Sequence, residues 1–249
     1  MPRVFRTVLP RIRASIAQRG VAASLARSVL LPVHLFREYR AAQIPVPPAP
    51  RSEFDARNGV ETDGDNGGWT YLSDLDIPSR NWLQGVNYTA VDPERFAIAM
   101  LSVPMKHEDF TFIDFGSGKG RALLMASDFP FRRVIGFEFS PELHAIAQRN
   151  IRKYRRSPNG CQSVESICVD FLDAVLPPEP SVLFFYDPCT ETLLPSVLER
   201  IRSSLREHPR PLHLIYVAPG KKEAMLDACD FLVKEGGNAE FQCCWYRNR

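Results

Sequence analysis

The sequence predicts an α/β fold in which a mostly parallel sheet is flanked by helices. Three observations carry this. An apolar run, Phe110 to Phe115, ends in alternating glycines and a helical stretch, FTFIDFGSGKGRALLMA. A second apolar run, RVIGFEF from Arg133 to Phe139, ends in Glu138 and is followed by Ser140-Pro141 and another amphipathic stretch. Further short apolar runs then alternate with helical periodicity to the end of the chain. Strands alternating with helices imply βαβ units.

In the first unit, residues 110–115 are β-branched or aromatic apart from Asp114, and Gly116, Gly118 and Gly120 free the backbone to turn. A strand, a glycine turn with Ser117 inside it and a helix N-terminus bring backbone N–H groups close to a ligand. Spacing separates three cofactor readings. A phosphate loop needs glycine where Ile113 stands and Ser or Thr where Gly120 stands. A dinucleotide fingerprint starting at Gly116 needs glycine or alanine at Arg121, and it would set Asp114 beside a pyrophosphate. S-adenosylmethionine carries no phosphate, and its sulfonium and ammonium suit an acid at the end of the first strand. Asp114 then becomes a binding residue.

This chain resembles the class I S-adenosylmethionine-dependent methyltransferases, whose first motif is an acid followed two residues later by GxGxG, here Asp114, Gly116, Gly118 and Gly120. The resemblance implies that Glu138, twenty-two residues beyond Gly116, takes the ribose hydroxyls, for which a carboxylate is a natural bidentate acceptor. Ser140 caps the next helix, with Leu143, Ile146, Ala147 and Ile151 as its apolar stripe. Ser163 to Phe171 reads as the third strand. By resemblance Asp170 faces the adenine amino group and Phe171 covers the ring. The fourth strand, Ser181 to Tyr186, ends in Asp187-Pro188-Cys189, where the family's catalytic or substrate-facing motif falls; Asp-Pro after a strand is also an ordinary turn starter. Helix Thr192 to Leu205, strand His213 to Val217, and an antiparallel pair, Phe231 to Val233 and Glu240 to Tyr246, separated by Gly236-Gly237, complete a Rossmann-like seven-stranded sheet with helices on both faces.

From about Ser52 onward the chain is also similar to a largely uncharacterised bacterial group, itself distantly similar to non-SET histone-lysine methyltransferases. FIDFGSGKGRALLMAS, PFRRVIGFEFSPELHAIAQRNI, FDARNGVETDG and NYTAVDPERF carry that likeness. It implies that Tyr88 and Thr89 touch the cofactor. Asp187 is then the first candidate for base or amine-orienting group and Tyr88 the second. Where nucleobase and amide methylating enzymes carry two prolines and an aromatic after the acid, Cys189 and Thr190 replace the last two, which lowers those readings.

The chain of 249 residues is 45% hydrophobic, enough for a sizeable core. Net charge is +2, yet residues 1–50 hold eight Arg and one Glu. Residues 1–43 read as a basic, helical extension, 44–80 as a Pro/Gly-rich linker and loop, and 81–249 as the cofactor-binding domain, with Phe96, Met100 and Leu101 facing inward from a helix begun at Pro93. Arg27 interrupts any apolar run long enough for a membrane span. The extension suits an anionic membrane surface, nucleic acid or an acidic partner, or else packs on the enzyme. The six cysteines form no CxxC and the histidines no HExxH, so no metal is expected, and adjacent Cys243 and Cys244 read as core and surface thiols in a reducing cytoplasm. The expected activity is methyl transfer to an N or O nucleophile of a small-molecule or protein acceptor. Its rivals are a non-catalytic binding module working through the extension and an NAD(P)-dependent oxidoreductase.

Overall fold

The computed structural model describes residues 51–249, and the expectations for the extension and for the spacer up to Pro50 lie outside the described residues. Seven strands form one sheet: β3 (Thr111–Phe115), β4 (Arg133–Glu138), β5 (Val164–Cys168), β6 (Ser181–Tyr186), β7 (Leu212–Val217), β8 (Leu232–Asn238) and β9 (Cys243–Asn248). Their order is β5-β4-β3-β6-β7-β9-β8. The first five named run parallel, and β9 is antiparallel to both β7 and β8. The order reverses between β3 and β6, and that switch point opens the crevice in which such sheets bind ligands.

Both faces of the sheet are covered, so its central strands are apolar without alternation. Leu183, Phe185, Ile113 and Tyr216 pack on one face against Leu194, Val197 and Ile201 of α5 (Leu194–Glu207). Phe112, Phe184 and Ile215 pack on the other, against Phe96, Ala99 and Met100 of α2 (Pro93–Leu101) and Leu123 of α3 (Arg121–Ala126). Phe115, Phe185 and Tyr216 stand in register on adjacent strands with ring centroids 4.6 Å and 5.4 Å apart, a stacked row beneath the crevice. Each such pair adds about 0.5–1.5 kcal/mol beyond area burial. Helix α4 (Pro141–Lys153) is capped by Ser140, whose hydroxyl accepts from Leu143 N–H, with Pro141 in its first turn.

Four details depart from the sequence reading. Leu101 is 72% exposed, and Ala99 takes the inward place at helical spacing beside Met100. Gly236 and Gly237 lie inside β8, with a register shift between Lys234 and Gly236, and the reversal falls after Asn238. Trp245 of the neighbouring strand fills the space beside Gly236, where a Cβ would meet its ring at 2.4 Å. Cys243 and Cys244 do point to opposite faces, but both are buried because both faces are covered. The stretch 51–80, read as linker and loop with FDARNGVETDG as part of the working enzyme, carries regular elements. It contains α1 (Glu53–Asn58), capped by Ser52, and β1 (Trp69–Thr70), which pairs with β2 (Tyr88–Thr89).

Candidate functional site

At the carboxyl ends of β3, β4 and β6 lies a cavity of about 180 Å³. Of the residues singled out from sequence, Tyr88, Thr89, Gly116, Glu138, Asp170, Phe171 and Asp187 line it, whereas Asp114, Ser117, Gly118 and Gly120 stand behind that lining. Three carboxylates, Glu138, Asp170 and Asp187, face the cavity, and no Lys, Arg or His does.

The glycine turn forms the inner wall. Gly116 N–H and Ser117 N–H both donate to Phe137 O at 3.0 Å, which ties the turn to the end of β4. Glu138 fixes it further, because Oε2 accepts from Gly118 N–H at 2.7 Å and Oε1 from Ser140 N–H at 2.8 Å. Burial outweighs these hydrogen bonds and pushes the Glu138 carboxyl up to about 7. Asp114, 3% exposed on the adjacent strand β3, is pushed up to about 8 by burial and then by the charge of Glu138. Gly118 has φ +53, and a Cβ there would lie 2.1 Å from the Tyr88 ring. Only glycine therefore lets that ring lie against the turn.

The Tyr88 ring lies over the glycine turn. Its hydroxyl donates to Thr62 O at 2.5 Å, and burial raises the phenol far above its ordinary value. Asp170 stands two residues beyond the end of β5. Its Oδ2 accepts from Ser79 Oγ at 2.5 Å and Asn81 Nδ2 at 2.9 Å, and Oδ1 from Leu172 N–H at 3.0 Å. The Phe171 ring packs 5.7 Å from that of Phe115, continuing the aromatic floor.

On the other side of the switch point, Asp187 follows β6 with φ 45, and Ala218 follows β7 with φ 56. Both line the cavity, and left-handed non-glycine residues of this kind persist where surrounding structure holds them. Asp187 Oδ1 accepts from Lys222 Nζ and, at 3.3 Å, from Tyr216 OH. Cys189 is wholly buried outside the cavity lining, and burial pushes its thiol up to about 12, disfavouring the thiolate.

Sequence reasoning missed the strap that closes over this turn. Arg121, 6% exposed, donates to Thr62 Oγ1 at 2.6 Å, Asp63 Oδ1 at 2.6 Å and Asp55 Oδ1 at 3.4 Å. Lys119 reaches Asp63 O at 2.7 Å and Asp65 Oδ1 at 2.6 Å. Asn150 of α4 donates to Glu61 O and Lys119 O at 2.9 Å each. Four acids within Asp55–Asp65, beside two cations in the motif, were the signal available in the sequence. Among the described residues, no group of three or more His, Cys, Asp or Glu is placed to hold a metal, and no helix is long and apolar enough to cross a membrane.

No family model matches the chain and no curated protein matches it. Solved structures do. An RNA methyltransferase from Salinibacter ruber in complex with S-adenosyl-L-homocysteine is 22% identical over 64% of this chain and 92% of its own, with a TM-score of 0.41. An rRNA methylase from Streptococcus thermophilus is 12% identical over 65% and 99%, with a TM-score of 0.39. The mitomycin 7-O-methyltransferase MmcR is 15% identical over 63% and 52%, with a TM-score of 0.46. The strand order, with the glycine turn at its switch point, is that of a Rossmann-like seven-stranded, mostly parallel sheet.

Proposed function

We propose that the protein is an S-adenosylmethionine-dependent methyltransferase acting on an N or O nucleophile of a small-molecule or protein acceptor. The observation that carries this is the charge of the cavity: three carboxylates and no cation line it, with Asp114 behind them. With Asp187 already paired with Lys222, it is the ionisation of the buried carboxyls, favoured by a cationic ligand, that makes such a wall attract a sulfonium and an ammonium and repel a pyrophosphate.

The residues fit the cofactor part by part. Glu138 retains lone pairs beyond those held by Gly118 N–H and Ser140 N–H, so it can accept from a ribose diol. Phe139, Leu143 and Phe171 give an apolar surface for an adenine ring beside Asp170, the acceptor for its amino group. Asp114 and the Gly116–Gly120 turn hold the amino-acid end, covered by Tyr88. Once bound, the cofactor supplies an activated methyl group, and the protein has to place a nucleophile in line and exclude water. Asp187, oriented by Lys222 and Tyr216, is the residue that faces the acceptor and takes or orients its proton.

Calorimetric titration with S-adenosylmethionine, S-adenosylhomocysteine and NAD(P)H tests the reading. Both sulfur ligands bind the wild type and neither binds Glu138→Ala or Asp114→Ala with comparable affinity. Preference for NAD(P)H, or no binding of either sulfur ligand, overturns it.

A further inference from the structure

A second concavity lies at the opposite end of the sheet, where β7 and β8 begin and β9 ends, and it has the opposite charge. It measures about 770 Å³ and is lined by Arg202, Arg206, Arg210, Arg247 and Arg249, against one lining acid, Asp230. The arginines come from three places in the chain. Arg202 and Arg206 stand one turn apart on α5, Arg210 is in the loop that follows, and Arg247 and Arg249 close β9.

Their surroundings leave much of this charge available. Arg206 has only Glu199 at 3.9 Å, and Arg249 makes no ion pair among the described residues. Arg202 is paired with the exposed Asp230, and its guanidinium lies 5.4 Å from the centroid of the Phe231 ring. Arg247 is paired with Glu235 at 3.1 Å. Arg210 is 6% exposed and held by Ser204 O, His208 O and Ser204 Oγ, so it caps α5, while its buried Nε has no partner. A fixed guanidinium is thus set among more exposed ones.

The floor between the arginines is apolar and partly aromatic, with Leu205, Pro209, Pro211 and Phe231. Planar guanidinium forks match phosphate oxygens, and apolar or aromatic surface between them suits a base or sugar. We infer that this arginine groove is a binding site for a nucleoside phosphate, free or as a unit of a single nucleic-acid strand. A flat bilayer cannot follow a concave floor, and a purely acidic peptide makes no use of the ring and prolines. The site is separate from the methyl-transfer cavity, and its test stands whether or not that reading holds.

The test uses the full chain, because residues 1–50 are themselves basic and must be present equally in every comparison. Fluorescence anisotropy with a labelled ten-nucleotide polyuridylate, and calorimetry with ADP, are run on the wild type and on Arg206→Glu/Arg249→Glu. Both positions are exposed, so the fold is undisturbed, and an unchanged melting temperature verifies this. The variant is expected to bind the strand at least tenfold more weakly. Its salt slope should be shallower by about 0.7 for each phosphate that the wild type neutralises and the variant does not. If ADP binding falls in parallel, the site takes free nucleotides; if only the strand binds the wild type, it takes nucleic acid. Crosslinking of a 4-thiouridine strand to the peptide containing Phe231 is expected in addition. Strand binding unchanged in the variant with no crosslink at Phe231, absence of binding by both probes, or vesicles of anionic lipid bound through these same arginines overturns the inference.

Discussion

Gly118 shows how one missing atom can define a site. Its backbone has φ +53 and its Cα faces the Tyr88 ring, whereas Gly68, with φ +96, has nothing within 4 Å of a hypothetical Cβ. Alanine at position 68 therefore meets only the backbone penalty, about 1 kcal/mol. Alanine at 118 must also displace the ring, which breaks the hydrogen bond to Thr62 O. Gly118→Ala is expected to lose about 2–4 kcal/mol of stability and to weaken S-adenosylhomocysteine binding by at least about a hundredfold, or roughly 2.7 kcal/mol. Denaturant melts and calorimetry on both alanine variants measure this. Equal losses in the two would show that the packing of the ring on the turn contributes nothing. The glycines and Glu138 were legible in the sequence because covalent spacing alone places them at a turn and a strand end. The seating of the Tyr88 ring on the turn was not, since the partner of its hydroxyl, Thr62 O, is twenty-six residues away and is a backbone atom.

The strap from Ser52 to Asp65 is the element that sequence periodicity could not show. It is short and polar, and its order comes from ion pairs with α3 and the glycine turn together with Phe54 and Val60 packed against Leu124 and Tyr154. The helices read best from sequence, α2 and α3, have capping residues or continuous apolar faces, and their bounds agree with the expected ones. Gly236-Gly237 misled in the opposite direction, because the pair reads as a turn whereas Gly236 is required inside β8 to admit Trp245. Arg121→Met tests the strap directly. It leaves Asp55, 2% exposed, without its buried cation, and breaking such a pair costs about 3–5 kcal/mol. Amide hydrogen exchange should accelerate selectively across residues 52–65 while β3 and β6 remain protected at the level of the lowered global stability. Uniform acceleration across all strands would show that the strap is not a separable unit.

For the whole molecule, the acidic cavity makes ligand-free stability fall with rising pH. The Glu138 carboxyl moves from 4.5 to about 7 and that of Asp114 from 3.8 to about 8, both through burial first. A carboxyl whose folded value is raised costs nothing while both states are protonated. It loses stability progressively as pH climbs from the unfolded value through the folded one. The window is therefore about pH 3.8 to 8. A tenfold change in proton affinity is about 1.4 kcal/mol, which for a domain of this size is about 3–5 °C in Tm. Burial lowers the basicity of His107, His144 and His213, and their contribution runs the other way, increasing as pH rises toward 6.5. The informative quantity is consequently the difference between wild type and Glu138→Gln, which removes one raised carboxyl and leaves the histidines intact. The variant's Tm should gain on the wild type from about pH 4.5 to about pH 7. Cofactor binding has the complementary sign, because a diol and a cation favour ionised carboxylates. S-adenosylmethionine affinity should rise with pH through about 7, with protons released on binding, measured by calorimetry in buffers of different ionisation enthalpy. A Tm difference that is flat with pH, together with binding that neither releases nor takes up protons, would mean that these carboxyls are ionised before the cofactor arrives, and the burial argument for the site would fall.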